Sequence, residues 1–132
     1  MRAIEESPET FMERFRSLVV EAHLYPAPWG SPLLLARTEA GFVYALDRGA
    51  PPAPAGQVRA LFHGLVQEVW PYRKAFLRRE GPRYRAAGRV RPLGEGFYVV
   101  EAGLPLLVHS ENPLPDEAEL LLHPPLMLFR EP

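Results

Sequence analysis

The chain has 132 residues, no cysteine, and 15 basic against 16 acidic side chains, for a formal net charge of −1. Such a length suits one domain spanning residues 1–132, with a single core able to bury about two thirds of its unfolded surface. The lack of cysteine excludes disulfides, thiol nucleophiles, Cys-type zinc sites and iron–sulfur ligation.

The first element begins at Ser7-Pro8-Glu9, where a serine cap, a proline at the first helical position and an early acid mark a helix start. Phe11, Phe15, Leu18, Val19 and Ala22 recur at helical spacing and stop before Tyr25-Pro26, which predicts helix one. After the loop YPAPWGSP, Leu33 to Ala36 and Phe42 to Leu46 flank Thr38-Glu39-Ala40-Gly41 and read as a hairpin, because Gly41 can supply the positive φ of a tight turn. The segment from Arg48 to Gly56 (RGAPPAPAG) is a connector. Val58, Leu61, Phe62, Leu65, Val66 and Val69 then predict helix two, from about Gln57 to Trp70, closed by Pro71. Gly64 inside such a helix costs about 1 kcal/mol relative to Ala, so a close approach of another segment is expected there.

Strands are predicted for the remainder. Tyr84, Ala86, Gly88 and Val90 alternate with Arg83, Arg85, Arg89 and Arg91, a half-buried strand with arginines on its outer side. Phe97 to Glu101 and Leu104 to His109 flank Glu101-Ala102-Gly103, an echo of Glu39-Ala40-Gly41. Ala118 to His123 and Leu126 to Arg130 follow, separated by Pro124-Pro125. The expected fold class is therefore α+β, with two amphipathic helices packed on a mainly antiparallel sheet. Matching Phe15 to Glu21 with Phe62 to Glu68 suggests two related helix-plus-hairpin halves, 7–47 and 56–91, with extra C-terminal strands over 93–132.

Charge is strongly polarised. Trp70 to Arg91 holds eight of the fifteen cations and one acid, Glu80, so this block is +7 and the other residues sum to −8. The residues singled out as an anion-binding or partner-binding face are Tyr72, Lys74, Arg78, Arg79, Arg83, Arg85, Arg89 and Arg91. Arginine forks suit phosphate oxygens, and aromatic residues between them can stack on bases. The competing expectation is internal neutralisation by acids such as Glu80, Glu117 and Glu119 on neighbouring elements, since cross-strand charge pairs are ordinary. A pI near 6.4 also falls below the strongly basic range of dedicated nucleic-acid domains.

No catalytic signature emerges. The four histidines, His23, His63, His109 and His123, have no HExxH or HxH spacing, Ser110 lacks a nucleophile elbow, and the glycines at 94 and 96 form no phosphate loop. No catalytic, cofactor or metal residues are assigned. Trp29, Trp70 and Tyr72 are of the type enriched at binding hot spots. The expected function is a non-enzymatic protein-interaction or self-association module, a homodimer or a partner for an acidic protein surface. The alternative is single-stranded RNA or DNA binding through the arginine-rich strands of 72–91. The charged N-terminus and the lack of a long apolar run lead us to expect a cytoplasmic location with no membrane span. Fourteen Arg to one Lys, one Asn, two Gln and 16 Pro match heat-adapted, GC-rich bacterial usage, so a thermophilic bacterium is the expected source.

Overall fold

The computed structural model describes residues 7–131, so the N-terminal reading of residues 1–6 lies outside it. Helix α1 spans Pro8–Arg14, and the predicted start is realised: the Ser7 side chain accepts from the Thr10 amide at 3.2 Å, Pro8 opens the first turn and Glu9 sits within it. Ser7→Ala should cost about 1 kcal/mol, read as a lower midpoint in urea unfolding. The helix is shorter than the apolar spacing predicts. A 3-10 turn at Arg16–Leu18 ends it, and the β-branched Val19-Val20 lead into strand β1 (Val20–Tyr25), where Ala22 and Leu24 alternate inward.

The other strands are β2 (Leu33–Thr38), β3 (Gly41–Asp47), β4 (Gly56–Trp70), β5 (Phe76–Glu80), β6 (Arg83–Gly94), β7 (Phe97–Glu101), β8 (Pro105–His109) and β9 (Glu117–Arg130). The expectation of two helices on a sheet is corrected: this is a mostly β protein, one short helix on a nine-stranded mixed sheet. The predicted helix two is the 15-residue strand β4. It misleads because its middle is buried on both faces. Ala60 and Phe62 enter one core cluster and Leu61 another, so apolar residues run together and mimic helical spacing. The alignment of 15–21 with 62–68 thereby loses its helical basis. Gly64 is buried as expected, but in a strand, where a Cβ would lie 2.9 Å from Leu126 Cδ2 and 3.1 Å from Leu122 Cδ1. The close neighbours are side chains of β9.

The hairpins were legible. β2 pairs antiparallel with β3 from Leu33↔Leu46 to Thr38↔Gly41, β7 pairs with β8, and β6 is the arginine-bearing strand with Tyr84, Ala86 and Val90 inward. The segments 118–123 and 126–130 join through Pro124-Pro125 into the single strand β9.

Two rings arise from this pairing. In the first, β1, β2 and β3 form a meander, β3 runs parallel to the end of β9 (Leu46↔Met127), β9 is antiparallel to β4, and β4 returns to β1 (Val20↔Ala60). In the second, β6, β7 and β8 form the meander, β8 runs parallel to β4 (Leu107↔His63), and β9 returns to β6 (Tyr84↔Leu122). Each long strand serves both rings: β4 pairs with β1 through its first half and with β8 further on, and β9 pairs with β6 first and then with β3. The chain thus repeats as β1–β4 and β6–β9, with β5 as an addition between them. The Glu-Ala-Gly echo marks equivalent turns of this repeat. Closing each sheet on itself removes most free edges.

The larger core cluster fills the rings with small and branched side chains, including Ala36, Ala45, Ala60, Ala86, Leu106, Leu120 and Leu128. The second lies outside the second ring, beneath α1. There Phe11 and Phe15 pack on Phe97 and Val99 of β7, Leu107 of β8, Leu61 of β4, and Met127 and Phe129 of β9.

His63 is buried in this aromatic layer at 1% exposure, its Nδ1 2.9 Å from the Leu107 carbonyl oxygen, which only an Nδ1–H donor can satisfy. The ring is therefore neutral, and Nε2 has no partner. Burial lowers its pKa to about 4, opposed by the Leu107 bond and assisted by the nearby charges of His109 and Arg48. The folded value lies below the unfolded 6.5, so the unfolded chain takes up the proton first. His63 should therefore weaken the fold as pH falls from about 6.5 to about 4, by about 3 kcal/mol in all, with no further loss below that window. Urea unfolding across the window measures this contribution, and His63→Leu should abolish it.

Candidate nucleic-acid interface

Alternation places the small residues of the first meander inside and its large ones outside. Ala22, Leu24, Leu34, Ala36, Val43 and Ala45 are buried. Registered neighbours share a face, so the pairs His23↔Arg37, Tyr25↔Leu35, Leu35↔Tyr44 and Arg37↔Phe42 place all of these on the outer surface. That surface is aromatic and open to solvent. Phe42 is 62% exposed, Tyr25 and Tyr44 are each 40% exposed, and Trp29, in the loop joining β1 to β2, is 81% exposed. His23 packs against Tyr25 with ring centres 4.8 Å apart, and Tyr25 lies 6.3 Å from Phe42.

Cations border this platform. Arg37 sits opposite Phe42 in the register and has no ionic partner among the described residues. Arg79 of β5 stands over Tyr44 at 5.4 Å from its ring centre. The β5–β6 hairpin reaches the platform because Tyr84 passes beneath it: its hydroxyl accepts the Tyr44 amide at 2.8 Å. Burial is the main cause of the raised Tyr84 pKa, opposed by this bond.

The structure divides the arginine set. Arg85 is internally neutralised, donating from Nε and NH2 to both oxygens of Glu80 and from NH1 to Glu119 at 3.0 Å, while stacking on Trp70 at 4.4 Å. Arg78 donates to Glu80 at 3.0 Å and stacks on Phe76. Hydrogen bonds from Arg85 and then Arg78 hold the Glu80 carboxyl below its ordinary value, and Glu80 in turn raises Arg85. Arg83, Arg89 and Arg91 are exposed on the outer side of β6 with no ionic partner among the described residues, although Arg89 faces Glu117 in the register. Arg79 points to the opposite side of the hairpin from Arg78. Lys74, Arg78 and Arg85 converge on one cleft with Arg73, Trp70 and Phe76, whereas Tyr72 lies half-buried nearby and does not line it.

Tyr25, Arg37, Phe42 and Tyr44 were not singled out from the sequence. The available signal was size alternation: Ala36, Val43 and Ala45 are too small for the outer layer of a thick core, while the residues between them are large. Among the described residues no group of three or more His, Asp or Glu could hold a metal ion, and no helix is long and apolar enough to cross a membrane. A second cleft, between α1 and the β3–β4 connector, carries balanced charge from Glu9, Glu13, Arg16, Arg48, Arg130 and Glu131. Comparison with known proteins gives no match: no family model, no curated protein and no solved structure is significantly similar to this chain.

Proposed function

We propose that the chain binds single-stranded nucleic acid across the outer face of β1, β2 and β3, with bases stacked on Phe42, Tyr44, Tyr25 and Trp29 and phosphates met by Arg37 and Arg79. The observation that carries this reading is the exposure of several aromatic rings on one sheet surface beside unneutralised cations. Each base has a π-face, so such a surface binds a strand with little regard to sequence. Five-stranded barrels of the oligonucleotide-binding kind use their second and third strands in this manner, an analogy of architecture only. The site differs from the arginine-rich strands expected to carry binding, because there Arg85 and Arg78 are already held by acids.

The test is a titration of a labelled single-stranded pyrimidine oligomer at about 50 and 200 mM salt. The logarithm of the affinity should fall with the logarithm of salt by about 0.7 per phosphate contacted. Absence of binding at the lower salt overturns the proposal.

A second reading has one specific observation behind it. The corresponding surface of the second ring, on β7 and β8, is covered by α1 through Phe11 and Phe15. The bare surface of the first ring would accept an apolar protein element similarly, including another copy of this chain in a homodimer. Light scattering at high micromolar concentration separates the two: a dimer whose formation competes with the oligomer supports the protein reading, and a monomer that binds the oligomer excludes self-association there.

A further inference from the structure

The cleft of about 640 Å³ beside the β4–β5 connection is lined by Trp70, Pro71, Arg73, Lys74, Phe76, Arg78, Arg85 and Glu119. Its chemistry differs from that of the platform. Four cations face one acid in the lining, and Glu80 adds a second acid just behind Arg78 and Arg85. Those two acids neutralise Arg85 and Arg78 and fix their guanidinium planes against Trp70 and Phe76, at 4.4 and 4.5 Å from the ring centres. Arg73 and Lys74 are exposed and have no ionic partner among the described residues. The result is a rigid floor of two stacked guanidiniums and a rim with two uncompensated charges.

We propose that this cleft is a phosphate-binding site. A phosphate at the rim would be met by Arg73 and Lys74. The N–H groups of Arg78 not used by Glu80 supply further donors in a fixed orientation, so little side-chain freedom is lost on binding. The ligand class is a phosphate group, from the backbone of a bound strand or from a free nucleotide. The strand source rests on the proposed function and follows from β5: Arg79 on one side of this strand touches the platform at Tyr44, and Arg78 on the other side lines the cleft. A single strand leaving the platform over β5 would place later phosphates at the cleft.

Two measurements test the site. The first follows Trp70 fluorescence in a Trp29→Phe background, where it is the only tryptophan, during titration with inorganic pyrophosphate and with adenosine monophosphate. Saturable quenching is expected, and the Arg73→Ala/Lys74→Ala double variant should weaken it at least tenfold. The second compares oligomer binding by the full chain and by the same double variant. The expected outcome is a weaker affinity and a salt slope reduced by about 1.4, two phosphate contacts at about 0.7 each. Quenching by pyrophosphate without any oligomer binding would uphold the cleft and reject strand binding. Quenching with oligomer binding that ignores the double variant assigns the cleft to free phosphates alone. If neither pyrophosphate nor the nucleotide quenches Trp70, and the double variant leaves oligomer affinity and slope unchanged, the inference is overturned. Unaltered thermal unfolding of the double variant shows that a loss is not one of folding.

Discussion

Gly88→Val should be among the most destabilising single substitutions in this chain, lowering stability by roughly 4 kcal/mol or more. Gly88 pairs with Ala118 of β9, and two residues later Val90 pairs with Val100 of β7, so β6 changes partner at this point. The end of β7 folds back across it. A Cβ on Gly88 would stand 2.0 Å from the carbonyl oxygen and 2.7 Å from the carbonyl carbon of Glu101. Those are backbone atoms at the head of the Glu101-Ala102-Gly103 turn, so relief requires moving β7 or opening the second ring. Gly94→Ala is the contrast. Its φ is +95° but nothing lies within 4 Å of its Cβ position, so only backbone strain of about 1–2 kcal/mol is expected. Urea or thermal unfolding of the two variants measures the difference, and an equal loss in both would contradict the close approach at Gly88.

Replacing Phe42 and Tyr44 together by Ala should weaken single-strand binding by about 4 kcal/mol, near a thousandfold, since each stacked base contributes about 1–3 kcal/mol. Both side chains project from β3 into solvent while Val43 and Ala45 hold the strand inward, so the unfolding midpoint should barely move. This separation of affinity from stability is the signature of a platform. Arg37→Ala should weaken binding less and reduce the salt dependence, because it removes a phosphate contact and no ring. A double variant that binds the oligomer as tightly as the native chain would place the nucleic acid elsewhere. A lost dimer with unchanged oligomer affinity would favour the protein reading of the same surface.

Local signals in the sequence located the elements that depend on local chemistry. Ser7-Pro8-Glu9 marked the start of α1, Gly41 marked the turn of the first hairpin, and the alternation about Tyr84 and Val90 marked β6 with its arginines outward. Long-range pairing produced the failures. The middle of β4 is apolar on both sides because the ring interior takes Phe62 while the layer under α1 takes Leu61 and His63, and this double burial erases the period of two. The same apolar spacing carried helix one past Phe15, although Val19-Val20 favours extended backbone. Mid-strand glycines at 64 and 88 were the residues that hinted at close crossings. Neither could identify what crosses. The basic block was visible from charge alone, yet the partners that neutralise Arg85 come from β9 and the preceding strand, and charge counting did not distinguish Arg85 from Arg83. The aromatic platform stayed hidden because Tyr25, Phe42 and Tyr44 come from strands whose register is set only when the ring closes.

The most direct measurement is the nuclear magnetic resonance spectrum of the aromatic side chains during titration with a short single-stranded oligomer. Stacking of bases should shift the ring signals of Tyr25, Phe42, Tyr44 and Trp29 upfield together, while those of Phe11, Phe15 and Phe97 beneath α1 stay in place. Saturation by the oligomer with the four exposed rings unmoved would contradict the account.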